Sequence, residues 1–285
     1  MPTNVYRVQG PDGTIPYQQF LIPKRAKHLN DIVSSLKKNI RHDGRDFLAH
    51  RKLCVKTGII TQAKGSAYVE CGHTKVVCSV FDPKEVPNKV EYAKTGELQC
   101  EFKFTTFSCL QRRGYTRDSE ERQLCNELRR ALEPAICRGE FANFEIQINV
   151  LVLENDGSVL ATAINAAGFA LVDGCIPMYD VITASTLGIY ENKILVDPTY
   201  NEESLCLSRV IGEQNHGIIM LSYMKNLQQI TEFSQNGSMG VNMFPEYVQI
   251  LIDQNCKLYS MVLYNVRNNV YEHFNEEFIE CKEKS

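Results

Sequence analysis

Clustered metal ligands are missing from this chain, although the residues that make them are not. Its 285 residues hold eleven cysteines, yet no two stand as Cys-x-x-Cys, and the six histidines form no His-x-x-x-His pair. Zinc sites draw their ligands from such short spacings, so the sequence offers no metal site. An odd cysteine count without a secretory leader points to thiols in a reducing compartment, packed as small hydrophobes. Long apolar runs are missing too. No stretch nears about 18 residues, and the opening "MPTNVYRVQGPDG" has no apolar signal region, so the expectation is a soluble, intracellular protein. Charge of one sign is absent: 31 Lys and Arg against 34 Asp and Glu leave a net −3. Contact with nucleic acid would therefore need local basic patches rather than a global field. No internal repeat occurs at a period of about 20–50 residues, which excludes solenoids and propellers. What remains is a chain 44% hydrophobic and 23% charged, long enough for a sizeable core.

Glycines and prolines interrupt residues 1–44, whose basic stretch "PKRAKHLNDIVSSLKKNIRHDGR" has room for one short helix. From Lys52 the pattern becomes strands. "KLCVKTGII", "SAYVEC" and "KVVCSVF", joined by "TQAKG" and "GHT", predict an antiparallel meander. A polar loop over 82–96 leads to the strand "LQCEFKFTTF". Leu124, Cys125, Leu128, Leu132, Ala135 and Ile136 repeat at helical spacing and predict a helix over Ser119–Ile136. Ser119 followed by Arg122 makes no capping box there. The strand "FEIQINVLVLEN" then runs into a helix expected over Ser158–Val172, whose alanines permit close approach to a sheet. Strands over Val181–Val196 and Cys206–Met224 and a long helix over Pro245–Phe274 complete the order, an α+β arrangement.

The stretch "ENDGSVLATAINAAG" (154–168) is the most informative. A Gly-containing turn after a strand, opening a small-residue helix, has the shape of an anion site. On the residues alone, Gly157 supplies a turn conformation and Asp156 is expected to cap the helix.

Three segments, "GIITQAKGSAYVECGHTKVVCSVFDPKE", "EERQLCNELRRALEPAI" and "LVLENDGSVLATAINAAGFALVDGCIPMYDVI", together resemble the ribonuclease PH family over about residues 45–275. The resemblance implies a ribonuclease PH-like α+β fold (ribosomal protein S5 domain 2-like), with mixed sheets packed with helices. It divides the chain into an extension over 1–44, the domain over 45–275 and a tail over 276–285. Enzymes of that family shorten RNA from its 3′ end with phosphate as nucleophile. Backbone N–H groups and an arginine hold the phosphate, and an aspartate acts as acid or metal holder.

The family's turn runs Asp-Gly-Gly-Thr-Arg; the matching residues here are Asp156, Gly157, Ser158, Val159 and Leu160, which replace hydroxyl and guanidinium with aliphatic groups. Its later carboxylate pair matches "EESLCLSR", where Glu203 keeps one acid and Arg209 stands at the other. The expectation is a retained site shape without chemistry, no enzyme, no cofactor and no metal. The alternative is an active phosphate-dependent 3′–5′ exoribonuclease of unrecognised arrangement. Non-catalytic members of the family stand in the eukaryotic RNA exosome, six such subunits forming a ring under S1/KH cap proteins. The resemblance thus implies those partners, RNA, no membrane, and a place in nucleus, nucleolus and cytoplasm. Candidate RNA contacts are Lys84, Lys89 and Lys94 on the 82–96 loop, and Arg112, Arg113 and Arg117 in "KFTTFSCLQRRGYTR". The plainer alternatives are a solvated surface loop, or arginines paired with carboxylates of a neighbouring subunit. His216 in "GEQNHG" belongs to a hairpin.

Overall fold

The computed structural model describes residues 31–36, 38–85, 93–110, 112–114, 116–191, 193–208 and 215–283, with side chains of the last helix given to 268 and at 271. Contacts divide the chain into two units, Met1–Ala49 and His50–Ser285. In the first, residues 31–36 are helical, within the basic stretch expected to hold a short helix.

The second unit opens with the meander. Strands β1 (Leu53–Thr57), β2 (Gly65–Cys71) and β3 (Thr74–Val80) pair antiparallel in sequence order. A two-residue strand, β4 (Lys84–Glu85), interrupts the loop expected over 82–96. Strand β5 (Glu97–Phe104) leads through helix α1 (Ser119–Leu132) to β6 (Phe144–Glu154). β6 pairs antiparallel with β3 and β4 and in parallel with β5, the pairing that a crossover helix permits. Helix α2 (Val159–Asp173) follows, then the antiparallel strands β7 (Ile182–Tyr190) and β8 (Lys193–Val196). Helix α3 (Tyr200–Leu207) precedes the hairpin β9 (His216–Met224) and β10 (Gln229–Ser238), and helix α4 (Phe244–Glu283) closes the chain. The second sheet has the order β10-β9-β7-β8.

The core forms around α2. Every residue from Val159 to Leu171 is buried, because the helix packs on β2 and β3 of one sheet and on β7 of the other. Close approach is required at Gly65, where an added Cβ would lie 2.3 Å from the Ala170 carbonyl oxygen. No helix among the described residues is long and apolar enough to cross a membrane.

Four expectations need correction. Helix α1 ends at Leu132 rather than Ile136; Ser119 with Arg122 indeed makes no capping box, and the box lies one residue earlier. Asp118 is the N-cap and its N–H donates to Glu121 Oε2 at 3.1 Å. Residues 200–207, partly assigned to a strand, form α3. Strand β10 was not expected: its polar residues lie on the exposed edge of a sheet, where no alternation is needed. Helix α4 continues past Phe274 to Glu283.

Candidate functional site

The turn between β6 and α2 is held from three sides, and each contact follows from a residue that could not be placed by local pattern. Gly157 has φ +87°, and a Cβ there would sit 2.6 Å from the Pro198 carbonyl oxygen and 2.7 Å from Tyr200 N, so only glycine lets the 198–200 segment lie on the turn. Ser158 also takes the left-handed region, at φ 52°, and is the N-cap of α2.

All three N–H groups of Asp156, Gly157 and Ser158 are used inside the chain. Asp156 N–H donates to Thr74 Oγ1 (3.2 Å), Gly157 N–H to Asn155 Oδ1 (3.0 Å), and Ser158 N–H to Glu203 Oε1 (2.6 Å). The carbonyls are used as well. Arg51 donates from Nη1 to Asp156 O (2.8 Å) and from Nη2 to Gly157 O (3.1 Å), while the Thr74 hydroxyl donates to Gly157 O (2.8 Å). Asp156 is therefore not the cap that was expected: Ser158 is the N-cap, and its N–H is taken by Glu203 of α3. Asp156 turns its carboxylate toward Arg51, 3.7 Å away.

Arg51 is itself fixed by Asp197, a buried residue after β8. Arg51 Nε and Nη2 donate to Asp197 Oδ2 and Oδ1 at 2.8 and 2.7 Å. Burial alone would neutralise both groups, but their fork-shaped pairing outweighs it. The Asp197 carboxyl stays well below the usual range, with His50 and Arg51 beside it, and Arg51 stays charged. His50 Nδ1 and Cys71 Sγ also approach Asp197 Oδ2, at 3.2 and 3.3 Å. His50, Cys71 and Asp197 carry donors close enough to hold a metal. Yet both Asp197 oxygens already face the guanidinium, so the cluster fits an anchor for Arg51 better than a cation site.

Beyond the turn lies a cleft of about 370 Å³ between the two sheets. Val159 and Leu160 line one wall, Met220 and Asn236 another, and Glu127 and Glu203 face in; no Lys or Arg lines it among the described residues. Burial pushes the Glu203 carboxyl up to about 7, partly offset by the Ser158 N–H and by Arg51, and reinforced by Asp197 and Asp156. The turn is thus anion-shaped, while the cleft offers no cation from its described wall to hold a phosphate.

The structure brings Asp156, Gly157, Ser158, Val159, Leu160 and Glu203 together. Arg209 and Lys89 lie outside the described residues. Lys84 and Lys94 are on the surface, with Lys84 Nζ 5.6 Å from the centre of the Phe81 ring. Arg112 and Arg117 are exposed as well. Arg113 is half-buried and engaged: its guanidinium lies 3.9 Å from the Phe104 ring centre, and it bonds Cys109 Sγ (3.1 Å) and Glu120 (2.9 Å). Sequence reasoning missed Arg51, Thr74, Asn155 and Asp197. Thr74 stood in the Gly-His-Thr-Lys-Val turn and Asp197 in "LVDPTY", but their partner Arg51 is 146 residues from Asp197.

Residues 49–177 match domain 1 and residues 180–211 match domain 2 of the 3′ exoribonuclease family, RNase PH. Among curated proteins, the exosome complex component RRP41-like of Arabidopsis thaliana is 32% identical, over 76% of this chain and 80% of that protein. The human exosome complex component MTR3 is 31% identical, over 71% and 75%. Of solved structures, an Archaeoglobus fulgidus exosome with RNA bound to the active site aligns with TM-score 0.73 at 21% identity, over 85% of this chain and 99% of that one. Rice Rrp46 aligns with TM-score 0.66 at 22% identity, over 78% and 98%. These structural likenesses concern the fold.

Proposed function

The chain belongs to the 3′ exoribonuclease (RNase PH) family, and on that premise we propose that it is a non-catalytic ring subunit of an RNA exosome. In this reading it supports 3′–5′ RNA processing and degradation by holding the ring and lining the RNA channel. Its partners are other RNase PH-type subunits, S1/KH cap proteins and RNA, and its place is nucleus, nucleolus and cytoplasm. The finer form of the proposal is a subunit of the MTR3 (mRNA-transport-regulator-three) type, which the motifs "EERQLCNELRRALEPAI" and "LVDPTYNEES" resemble.

One observation carries the non-catalytic part. At the turn where the family holds phosphate, the side chain in the arginine's position is Leu160, and the described wall of the cleft has carboxylates but no cation. A phosphate dianion placed there would lose its hydration and gain no balancing charge, a loss far larger than one neutral hydrogen bond returns. Purified protein incubated with single-stranded RNA, inorganic phosphate and magnesium tests this. The expected result is no nucleoside diphosphate above a buffer control. Release of nucleoside diphosphates that is abolished by Asp156→Ala would overturn it.

A further inference from the structure

We propose that Phe107 is a stacking platform for a base of single-stranded RNA, with Arg112 in the same loop to meet a neighbouring phosphate. The inference rests on the reading of the chain as an exosome ring subunit, and it names where that subunit grips RNA.

The connection after β5 carries it. Phe107 and Leu110 are 73% and 74% exposed, among the most exposed large apolar side chains of the described residues. Apolar surface held in water is costly, so a loop free to move would fold such a ring inward. This loop is not free. Ser108 is buried, and its N–H and Oγ donate to Thr105 O at 3.1 and 2.8 Å. Its carbonyl accepts the Asn155 N–H at 2.9 Å, and Thr105 N–H donates to Val152 O of β6 at 3.0 Å. Arg113 N–H donates to Thr106 O (3.1 Å), which brings the backbone at 112–113 back beside 106–107. The Arg113 guanidinium then fastens the loop to Cys109, Phe104 and Glu120. Among the described residues, the Phe107 ring itself takes part in no aromatic or cation–π contact. The backbone is thus preorganised to hold an aromatic ring in solvent, and a partner that covers the ring has little ordering left to oppose it.

Two features select RNA as that partner. Arg112 is exposed and makes no ion pair among the described residues, whereas Arg113 is consumed by the fold. The loop is also tied, through Asn155, to the anion-shaped turn at 156–158, and Phe104 and Asn155 both line the cleft. An aromatic face with a guanidinium in the same loop grips a single strand without reading its sequence, since every base has a π face.

The sequence contains no tryptophan, so Phe107→Trp places a reporter at this one position of the chain. Rings are assembled from the full-length protein and its RNase PH-type partners, carrying wild type, Phe107→Ala, Phe107→Leu or Phe107→Trp, and oligouridylate is the probe. Phe107→Ala should bind it about tenfold more weakly, with the salt slope unchanged because stacking releases no counterion. Phe107→Leu should be as weak, since leucine keeps apolar bulk without a π face. Phe107→Trp should bind at least as tightly as wild type, and its emission, taken as the difference from wild-type rings, should be quenched by the RNA. Unchanged affinity in Phe107→Ala, or affinity kept by Phe107→Leu, would overturn the proposal. So would loss of ring assembly in Phe107→Ala, or emission that shifts to the blue on assembly and then ignores RNA, because a protein neighbour would then cover the loop. Failure of the wild type to form rings would sink the ring-subunit reading and the platform with it. Rings that form and hold RNA independently of Phe107 would leave that reading standing and remove only the platform.

Discussion

Glu203 and Asp197 are both acids beside Arg51, and the fold treats them oppositely. Asp197 takes the bidentate guanidinium and stays ionised, whereas Glu203 has one backbone N–H against a large desolvation cost. The Glu203 carboxyl, ordinarily near 4.5, titrates at about 7 in the folded protein. Between those values the folded state holds a proton that the unfolded state has released, so stability falls as pH rises through this window. Glu203→Gln keeps the acceptor for Ser158 N–H and removes the titration. Urea unfolding from about pH 5 to pH 8 should therefore show a decline in wild type, on the order of 2–3 kcal/mol, that is absent in Glu203→Gln. An identical decline in both proteins would assign it to other groups.

At the scale of elements, the 105–118 connection is organised by one arginine and leaves its neighbour in solvent. Arg113 packs on Phe104 at the end of β5 and pairs with Glu120 in the first turn of α1. Glu121 of the same turn accepts the Phe104 N–H at 2.9 Å. Arg113→Ala should lower stability by about 1 kcal/mol, from one cation–π contact and two partly exposed ion pairs, to Glu120 and Asp118, while Arg112→Ala leaves melting unchanged. Equal effects of the two substitutions in thermal unfolding would contradict that division. The pair also shows what a sequence can and cannot tell. "QRRG" identifies two arginines in a loop but not which one the fold consumes, since Phe104 and Glu120 come from different elements. Elements with strong periodicity, β1 to β3, β6 and α1, were legible because their burial repeats within one segment, and α2 from its unbroken run of small and apolar residues. Helix α3 was not: its short stretch has no apolar stripe and is held by a capping box and by the turn at 156–158. The turn itself was legible as phosphate-shaped, with Leu160 standing in the arginine's place. Its contact with α3 was not, because Ser158 and Glu203 are 45 residues apart.

For the whole molecule, a net charge of −3 means the isolated chain has no field with which to hold RNA. Within a ring, exposed cations on loops of several subunits would face one channel and their potentials would add. Lys84, Lys94 and Arg112 are the described candidates here, on connections outside the two packed sheets or on the short strand β4. Arg113 and Arg117 are set aside, because replacing Arg113 disturbs the β5–α1 junction and Arg117 donates from Nη2 to Cys125 Sγ of α1 at 3.4 Å. The triple alanine variant, assembled with partner RNase PH-type subunits, should form rings as well as wild type. It should bind single-stranded RNA more weakly, most visibly at low salt. For each phosphate that the variant no longer neutralises, the slope of log affinity against log salt should fall by about 0.7. Electrostatic contact explains both signs together, because released counterions drive the binding and added salt opposes their release. Rings that bind RNA with unchanged affinity and unchanged slope would place all three residues off the RNA path. The contribution of this subunit would then lie in its packing against its neighbours, and RNA binding would have to come from other chains of the assembly.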